Sequence, residues 1–350
     1  MAEQIEFILE LEAPEALTAG PGVLPPCQQP KRTRAVSDVN ASDSLFFRIA
    51  PYLGLAGTSL FWAGNALVAR GFNDSIPPLA LSFHRWLVCA LLISPFILRA
   101  FLRHKDIIKQ HWGKIGVLAF LGVATYNSLL YTSAQFTSAL NITLVNSLLP
   151  VATLVLAMPL LGQRLNLKSG VGVLFAFLGA LYVILHGEPS ALLSLQMNAG
   201  DSIMAAAMVI WSLYSVLLRK WAIPIPGFDL FAILLGLGLP MILPFYVLEH
   251  HIKGGFEWSY DLAAVIAYVA IFPSLCAYLL WNYGVTKTSP STAALFAYLT
   301  PLLTALLSIP FLGEHPESYH LIGGGAILAG LWLSQDMGKS VKPPTPKPRT

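Results

Sequence analysis

Between residues 50 and 337 the chain returns again and again to runs of about twenty apolar residues, with short polar connections between them. A helix that crosses a hydrocarbon core needs about 20 mostly apolar residues. Ten stretches qualify: 50–70, 78–98, 114–134, 138–160, 169–186, 200–219, 229–248, 262–284, 290–311 and 319–337. Short connections make successive helices antiparallel. Mean hydropathy is +0.65 and only 11% of residues are charged, against roughly 25% in a soluble domain. Too few charges remain to coat a water-facing surface, so lipid is the main solvent. The expected fold is all-α and integral to the membrane, with ten transmembrane helices.

The positive charges orient the helices, because cytoplasmic loops carry the excess of Lys and Arg. With the N-terminus inside, 18 of the 21 Lys and Arg residues fall on the cytoplasmic side. Only Arg70 and Lys253 fall outside, and Arg85 lies within a span. One span more or fewer would scramble this alternation. Both termini are therefore expected in the cytoplasm.

The chain also repeats itself. Residues 137–162 and 288–313 align without a gap at an offset of 151, matching Pro150 to Pro301, Thr153 to Thr304 and Pro159 to Pro310. Gly172 meets Gly323 and Gly179 meets Gly330 at the same offset, while Trp62 meets Trp211 and Arg70 meets Arg219 at 149. Five helices per copy is an odd number, so the second copy enters from the opposite side. Inverted repeats of this kind typify secondary transporters, with the site between the repeats near mid-bilayer. The expected divisions are a cytoplasmic tail (1–49), a first five-helix repeat (50–186), a second (200–337) and a disordered tail (338–350). Pro150 and Pro301 are candidate hinges, since a helix-interior proline kinks the helix and frees a carbonyl; the alternative is static shaping of the bundle.

Other features exclude more than they assign. The first 44 residues carry seven acids and lack the basic start and apolar core of a cleavable signal peptide. Cys27, Cys89 and Cys276 are scattered and odd in number, without disulfide or metal spacing. No Asp or Glu falls mid-span; Asp201, Asp229, Glu249, Asp261, Glu314, Glu317 and Asp336 all lie near span ends. That favours uniport, or exchange without an acidic coupling residue, and leaves open coupling through His84. No cofactor, metal, nucleic acid or obligate protein partner is implied. No HExxH, intramembrane Asp pair or nucleophile loop points to an enzyme.

The candidate binding residues are the polar and aromatic ones within spans: Trp62, Asn65, His84, Arg85, Tyr126, Asn146, Trp211, Tyr214, Tyr278, Trp281 and Tyr298. Asn65 stands at i+3 from Trp62, and Tyr214 at i+3 from Trp211, so each pair projects from one helical face. Related by the repeat, the two pairs are expected to face each other across a central cavity. The competing reading is helix packing through Asn hydrogen bonds. Arg85 either meets a substrate carboxylate or is satisfied by backbone carbonyls and the outer surface; His84 is a packing residue or a proton carrier.

Several motifs resemble an EamA domain. They are Phe61-Trp62-Ala63-Gly64-Asn65, Phe83-His84-Arg85-Trp86, Leu149-Pro150, and Leu161-Gly162-Gln163-Arg164-Leu165 with Gly170 to Leu181 after it. The second half repeats the order with Trp211-Ser212-Leu213-Tyr214, Thr300-Pro301, Leu312-Gly313-Glu314 and Gly323 to Gly330. The resemblance covers about residues 50–337 and implies the ten-helix fold of the drug/metabolite transporter superfamily. Gln163 departs from it, standing where the family usually has Glu. Within the superfamily the aromatic-rich spans are most similar to bacterial aromatic amino-acid exporters, which implies the bacterial inner membrane. The functional expectation is export of small amphipathic metabolites, including aromatic amino acids, by alternating access. Hydrophobic-cation efflux by proton exchange, or a non-transporting membrane scaffold, are the rivals. The expected partners are a small-molecule substrate and membrane lipid. Sugar phosphates fit poorly, because a dry cavity would need several Lys or Arg to hold their charge and only Arg85 is at hand.

Overall fold

The computed structural model describes residues 48–65, 75–137, 139–164, 166–194, 198–312 and 317–334. The expected tails at 1–49 and 338–350, except residues 48 and 49, lie outside that set, as do Arg70 and Glu314. All regular structure among the described residues is helical. Six helices are long and apolar enough to cross a membrane, and a seventh arises when a bent pair counts as one span.

In the first half, α1 covers 48–65, α2 Pro78–Leu92, α3 Ser94–Arg103 and α4 Lys105–Ser133. Next come α5 Ala139–Asn146, α6 Leu149–Leu161 and α7 Leu167–Ile184. In the second half, α8 is Ala199–Trp221, α9 Gly227–Lys253 and α10 Tyr260–Lys287. Then come α11 Pro290–Phe296, α12 Leu299–Leu312 and α13 Ser318–Leu333. Local chemistry sets these limits. Asn166 accepts from Ser169 N at 2.7 Å to start α7, and Gly162, at φ 66°, ends α6, as left-handed glycines do at helix C-termini. Asn198 and Asp201 form a reciprocal capping box at the start of α8.

Two expectations need correction. The stretch 78–98 is not one helix: α2 and α3 meet at 74°. Pro95 has no N–H to offer Leu91 and its ring crowds that carbonyl; the Ser94 hydroxyl donates to Leu91 O instead, at 2.9 Å. The candidate hinge prolines also do not kink a running helix. Pro150 sits in the first turn of α6, where a missing N–H costs nothing. A one-turn interruption precedes it at 147–148, and its counterpart at 297–298 precedes Pro301.

The halves meet about an approximate two-fold axis. The glycines matched by the repeat pair crosswise between α7 and α13. A Cβ on Gly179 would stand 2.6 Å from Gly323 O, and one on Gly172 would stand 2.8 Å from Gly330 O. Such contact of i with j′ and j with i′ is what a two-fold requires, and bare glycines let the two backbones touch. Residues equivalent under the repeat also meet each other: Trp62 and Trp211 rings stand 5.6 Å apart, and Asn127 Nδ2 donates to Tyr278 OH at 2.7 Å. Among the described residues each half carries one π-helical stretch, at matching places, Phe120–Thr125 in α4 and Ala270–Cys276 in α10. Outward-facing side chains such as Leu98, Leu178 and Leu321 are exposed and apolar, as a lipid-facing surface demands.

Candidate functional site

A cavity of about 840 Å³ lies between the halves, walled by side chains from both. Trp62 and Asn65 come from α1, Arg85 from α2, Tyr126, Asn127 and Tyr131 from α4, and Asn146 from α5; Tyr278 belongs to α10, Tyr298 to the α11–α12 break and Thr300 to the first turn of α12. At one end it reaches His186 and Glu188, which are exposed. Beyond its floor the helices close on one another. Tyr214 OH donates to Asn282 Oδ1 at 2.8 Å, Trp281 Nε1 to Ser215 Oγ at 3.1 Å, and Ser291 Oγ to Gln163 Oε1 at 2.8 Å. Gln163, the departure from the family pattern, thus ties the end of α6 to the start of α11.

The most unusual wall residue is Arg85, only 1% exposed. Its Nε donates to Ser274 Oγ at 2.7 Å and its Nη1 to Asn127 Oδ1 at 3.0 Å and to Tyr131 OH. The guanidinium carbon also lies 5.3 Å from the Trp86 ring centroid and 5.7 Å from that of Tyr131, where the ring faces offer partial negative charge. Both π-helical stretches serve this network. Ser274 lies in the second, and Tyr278 OH donates at 2.7 Å to Gly122 O in the first. The guanidinium is therefore not satisfied by backbone carbonyls or by the outer surface, which was one of the two expectations for it.

Of the residues singled out in the sequence, Trp62, Asn65, Arg85, Tyr126, Asn146, Tyr278, Tyr298 and Pro301 line the cavity. Trp211, Tyr214 and Trp281 do not; they are fully buried. Trp211 is the hub of an aromatic core, with ring centroids of Tyr126 at 4.6 Å, Tyr278 at 5.0 Å and Tyr214 at 5.1 Å. The i, i+3 spacing predicts a cavity between two facing pairs, but the faces touch: Trp62 packs edge-on against Trp211, leaving no gap between them. His84 lies apart from the cavity. Its Nδ1 is 2.8 Å from Ala80 O and its ring is surrounded by Tyr246, Phe256 and Trp258. Pro150 is buried and away from the wall.

Asn127 and Tyr131, notable in the sequence as polar residues inside a span, belong to the site, as do Ser274 and Thr300, which the sequence did not single out. Asn127 was findable, since it stands at the repeat offset of 151 from Tyr278. Ser274 was not, because a π-helical stretch shifts the helical register that periodicity assumes. Three polar atoms on the wall, Asn146 Oδ1, Tyr298 OH and Thr300 Oγ1, are buried without a hydrogen-bond partner. The acids at helix ends are deeper than hydropathy suggests. Asp201 accepts from Thr137 Oγ1 at 2.5 Å and Asn141 Nδ2 at 3.1 Å, and Glu249 Oε2 accepts from Ala80 N at 2.8 Å. Among the described residues no three His, Cys, Asp or Glu side chains come together to hold a metal.

Comparison with known proteins places this arrangement. The model of the EamA-like transporter family matches residues 49–185 and again 198–335. An uncharacterized transporter of Archaeoglobus fulgidus is 27% identical over 287 residues, covering 81% of this chain and 96% of its own. A probable terminal-alkyne amino-acid exporter of Streptantibioticus cattleyicolor is 23% identical over 219 residues, covering 63% and 71%. A protein of known crystal structure shares the fold with a TM-score of 0.66 at 20% identity, covering 83% of this chain and 97% of the other.

Proposed function

This chain belongs to the EamA-like transporter family, a multi-pass membrane protein, and on that footing we propose that it is a secondary transporter exporting small amphipathic metabolites, amino acids including aromatic ones among them. The observation that carries the proposal is the cavity between the halves, walled by both and reaching the exposed His186 and Glu188 at one end. In this reading ten helices form two inverted repeats, and exchange of conformation between the repeats moves the opening from one side to the other. The Gly172–Gly330 and Gly179–Gly323 contacts lie across the axis and serve as the pivot. The paired breaks before Pro150 and Pro301 supply the bending points. The charge split supports both termini in the cytoplasm, and with the protein in a bacterial inner membrane the open end then faces outward.

The substrate reading draws on the aromatic wall of Trp62, Tyr126, Tyr278 and Tyr298, on its unpartnered polar atoms, and on the amino-acid exporter among the relatives. Aromatic contacts contribute about 0.5–1.5 kcal/mol per ring pair beyond area burial. Proteoliposomes test it directly. Uptake of labelled phenylalanine should saturate and should be accelerated by unlabelled phenylalanine inside the vesicle. Uptake linear in concentration and indifferent to internal substrate would describe a pore or a scaffold and end the transporter reading. Reporter fusions at Thr350 and after Glu188 should report opposite sides; agreement between them would overturn the topology.

A further inference from the structure

Among the described residues, the wall of the cavity contains four ionisable groups besides its tyrosines. His186, Glu188 and His320 stand around the open end; Arg85 is the one buried within. Arginine carries its charge at any physiological pH, and removing it from water is costly unless the charge is met. Arg85 is met only halfway. Its three hydrogen-bond partners, Ser274, Asn127 and Tyr131, are neutral, and no carboxylate among the described residues pairs with it. Those bonds occupy Nε and Nη1, leaving Nη2 as the guanidinium nitrogen without a hydrogen bond. The neighbours thus fix the plane of the group and leave one corner, with its charge unneutralised, on a residue that lines the cavity.

We propose that Arg85 is the anion anchor of this cavity, holding the carboxylate of the substrate through Nη2. The inference rests on the transporter reading above and narrows it: the cavity takes molecules with one carboxylate and an apolar body, zwitterions included, and disfavours hydrophobic cations. Three features agree. The fixed donors on Nε and Nη1 make the binding end-on through Nη2, not the side-on bidentate pairing that Arg usually offers. The position equivalent to Arg85 in the second half, at the offset of 149 that matches Trp62 to Trp211, is Leu234, so the repeat supplies no second buried charge there for a dianion. A cation would meet an unneutralised like charge in a desolvated site, where repulsion is strongest.

Calorimetry on the full-length protein in nanodiscs separates the possibilities, using L-phenylalanine, 3-phenylpropionate and 2-phenylethylamine on wild type, Arg85→Gln and Arg85→Lys. Wild type should bind both carboxylates at least about tenfold more tightly than the amine. Arg85→Gln should weaken both carboxylates by about tenfold or more while the amine binds as before or better; Arg85→Lys should regain part of the loss. Equal affinity of wild type for the three ligands, or an equal loss of all three in Arg85→Gln, would mean that Arg85 only braces the helices and would overturn the anchor while leaving the transporter reading intact. Should Arg85→Gln fail to fold, the wild-type series still decides, since an amine that binds as well as phenylpropionate overturns the anchor. Binding of none of the three, with no counter-flow of phenylalanine, would overturn the transporter reading and the anchor with it.

Discussion

Pro95 and Pro244 occupy equivalent places in the two halves, at the same offset of 149 that matches Pro77 to Pro226 ahead of α2 and α9. The outcomes differ. At Pro95 the chain turns through 74° and begins a new helix; α9 runs on through Pro240 and Pro244 to Lys253. The two prolines are alike, but the turns just after them are not. Arg99 and Arg103 stand where the second half has Leu248 and Ile252. A helix that continued straight past Pro95 would carry two arginines on into the hydrocarbon or out along an unsupported path. The bend instead lays α3 across α9, with Ile97 and Phe101 packed over Gly236, and leaves Leu98 and Leu102 exposed beside the charges. That is the pattern of a helix lying in the membrane interface. Proline permits a bend by removing a hydrogen bond; the polarity of the next turn decides whether the bend is taken.

The same inequality between halves governs charge. Arg85 is tolerated at its depth because Ser274, Asn127 and Tyr131 await it. Under the repeat offset of 151 their counterparts are Val123, Tyr278 and Asn282, and the latter two are already engaged, by Asn127 and Tyr214. Leu234→Arg places the same charge at the same depth in α9, where Leu234 is 1% exposed. An arginine at a helix centre costs about 2.5–3.5 kcal/mol on insertion scales before any loss of packing. The expected result is near-complete loss of the monodisperse peak in size-exclusion chromatography of a fluorescent fusion. Normal yield of folded Leu234→Arg would mean the halves are interchangeable at this level after all.

A smaller effect is expected where the end of α9 meets the start of α2. Glu249 is buried and accepts from the free Ala80 N–H in the first turn of α2, with Lys253 at the looser distance of 3.9 Å. Hydrogen bonds to charged groups are worth about 1.5–3 kcal/mol. Glu249→Ala should lower the melting temperature by several degrees, and Glu249→Gln by less, since an amide oxygen still accepts. The residue equivalent to Glu249 in the first half is Ala100, which is buried and has no such bond to give. Indifference of the melting temperature to both substitutions would reduce the contact to coincidence.

These contrasts explain what was legible in the sequence. The helices, the repeat and most of the cavity wall come from long-range averages of polarity, which a membrane enforces strictly because unpaired backbone cannot be left in lipid. Trp62, Asn65, Arg85, Tyr126, Asn146, Tyr278 and Tyr298 were recognisable as polar or aromatic residues that an apolar span has no local reason to carry. Trp211, Tyr214 and Trp281 look the same by that criterion. They differ only in lying where the halves touch, and contact across the axis has no local signature. The bend at Ile93, the π-helical stretches and the buried state of Asp201 and Glu249 escaped for a related reason. Each depends on which partner arrives from another helix, whereas hydropathy reports only whether a residue prefers lipid.

The smallest effect expected tests the bend itself. If the charges after the proline decide its course, Pro95→Ala should leave α3 where it is, with a stability change of no more than about 1 kcal/mol. The restored N–H of residue 95 could bond Leu91 O, but Ser94 Oγ already serves that carbonyl, so little is gained by straightening. Replacing Arg99 and Arg103 by Leu in the same chain removes the reason to stay at the interface, and the second half supplies the precedent of a straight α9. Spin labels at Leu79 and Leu102 read the difference. From 1.5 Å of rise per residue and the 74° bend, straightening would lengthen the span between these positions by about 7 Å. The expected sequence is no lengthening in Pro95→Ala and clear lengthening in the triple variant. Lengthening in Pro95→Ala alone would assign the bend to the proline, and the contrast between α2–α3 and α9 would then have to come from the packing around Pro244, not from the arginines.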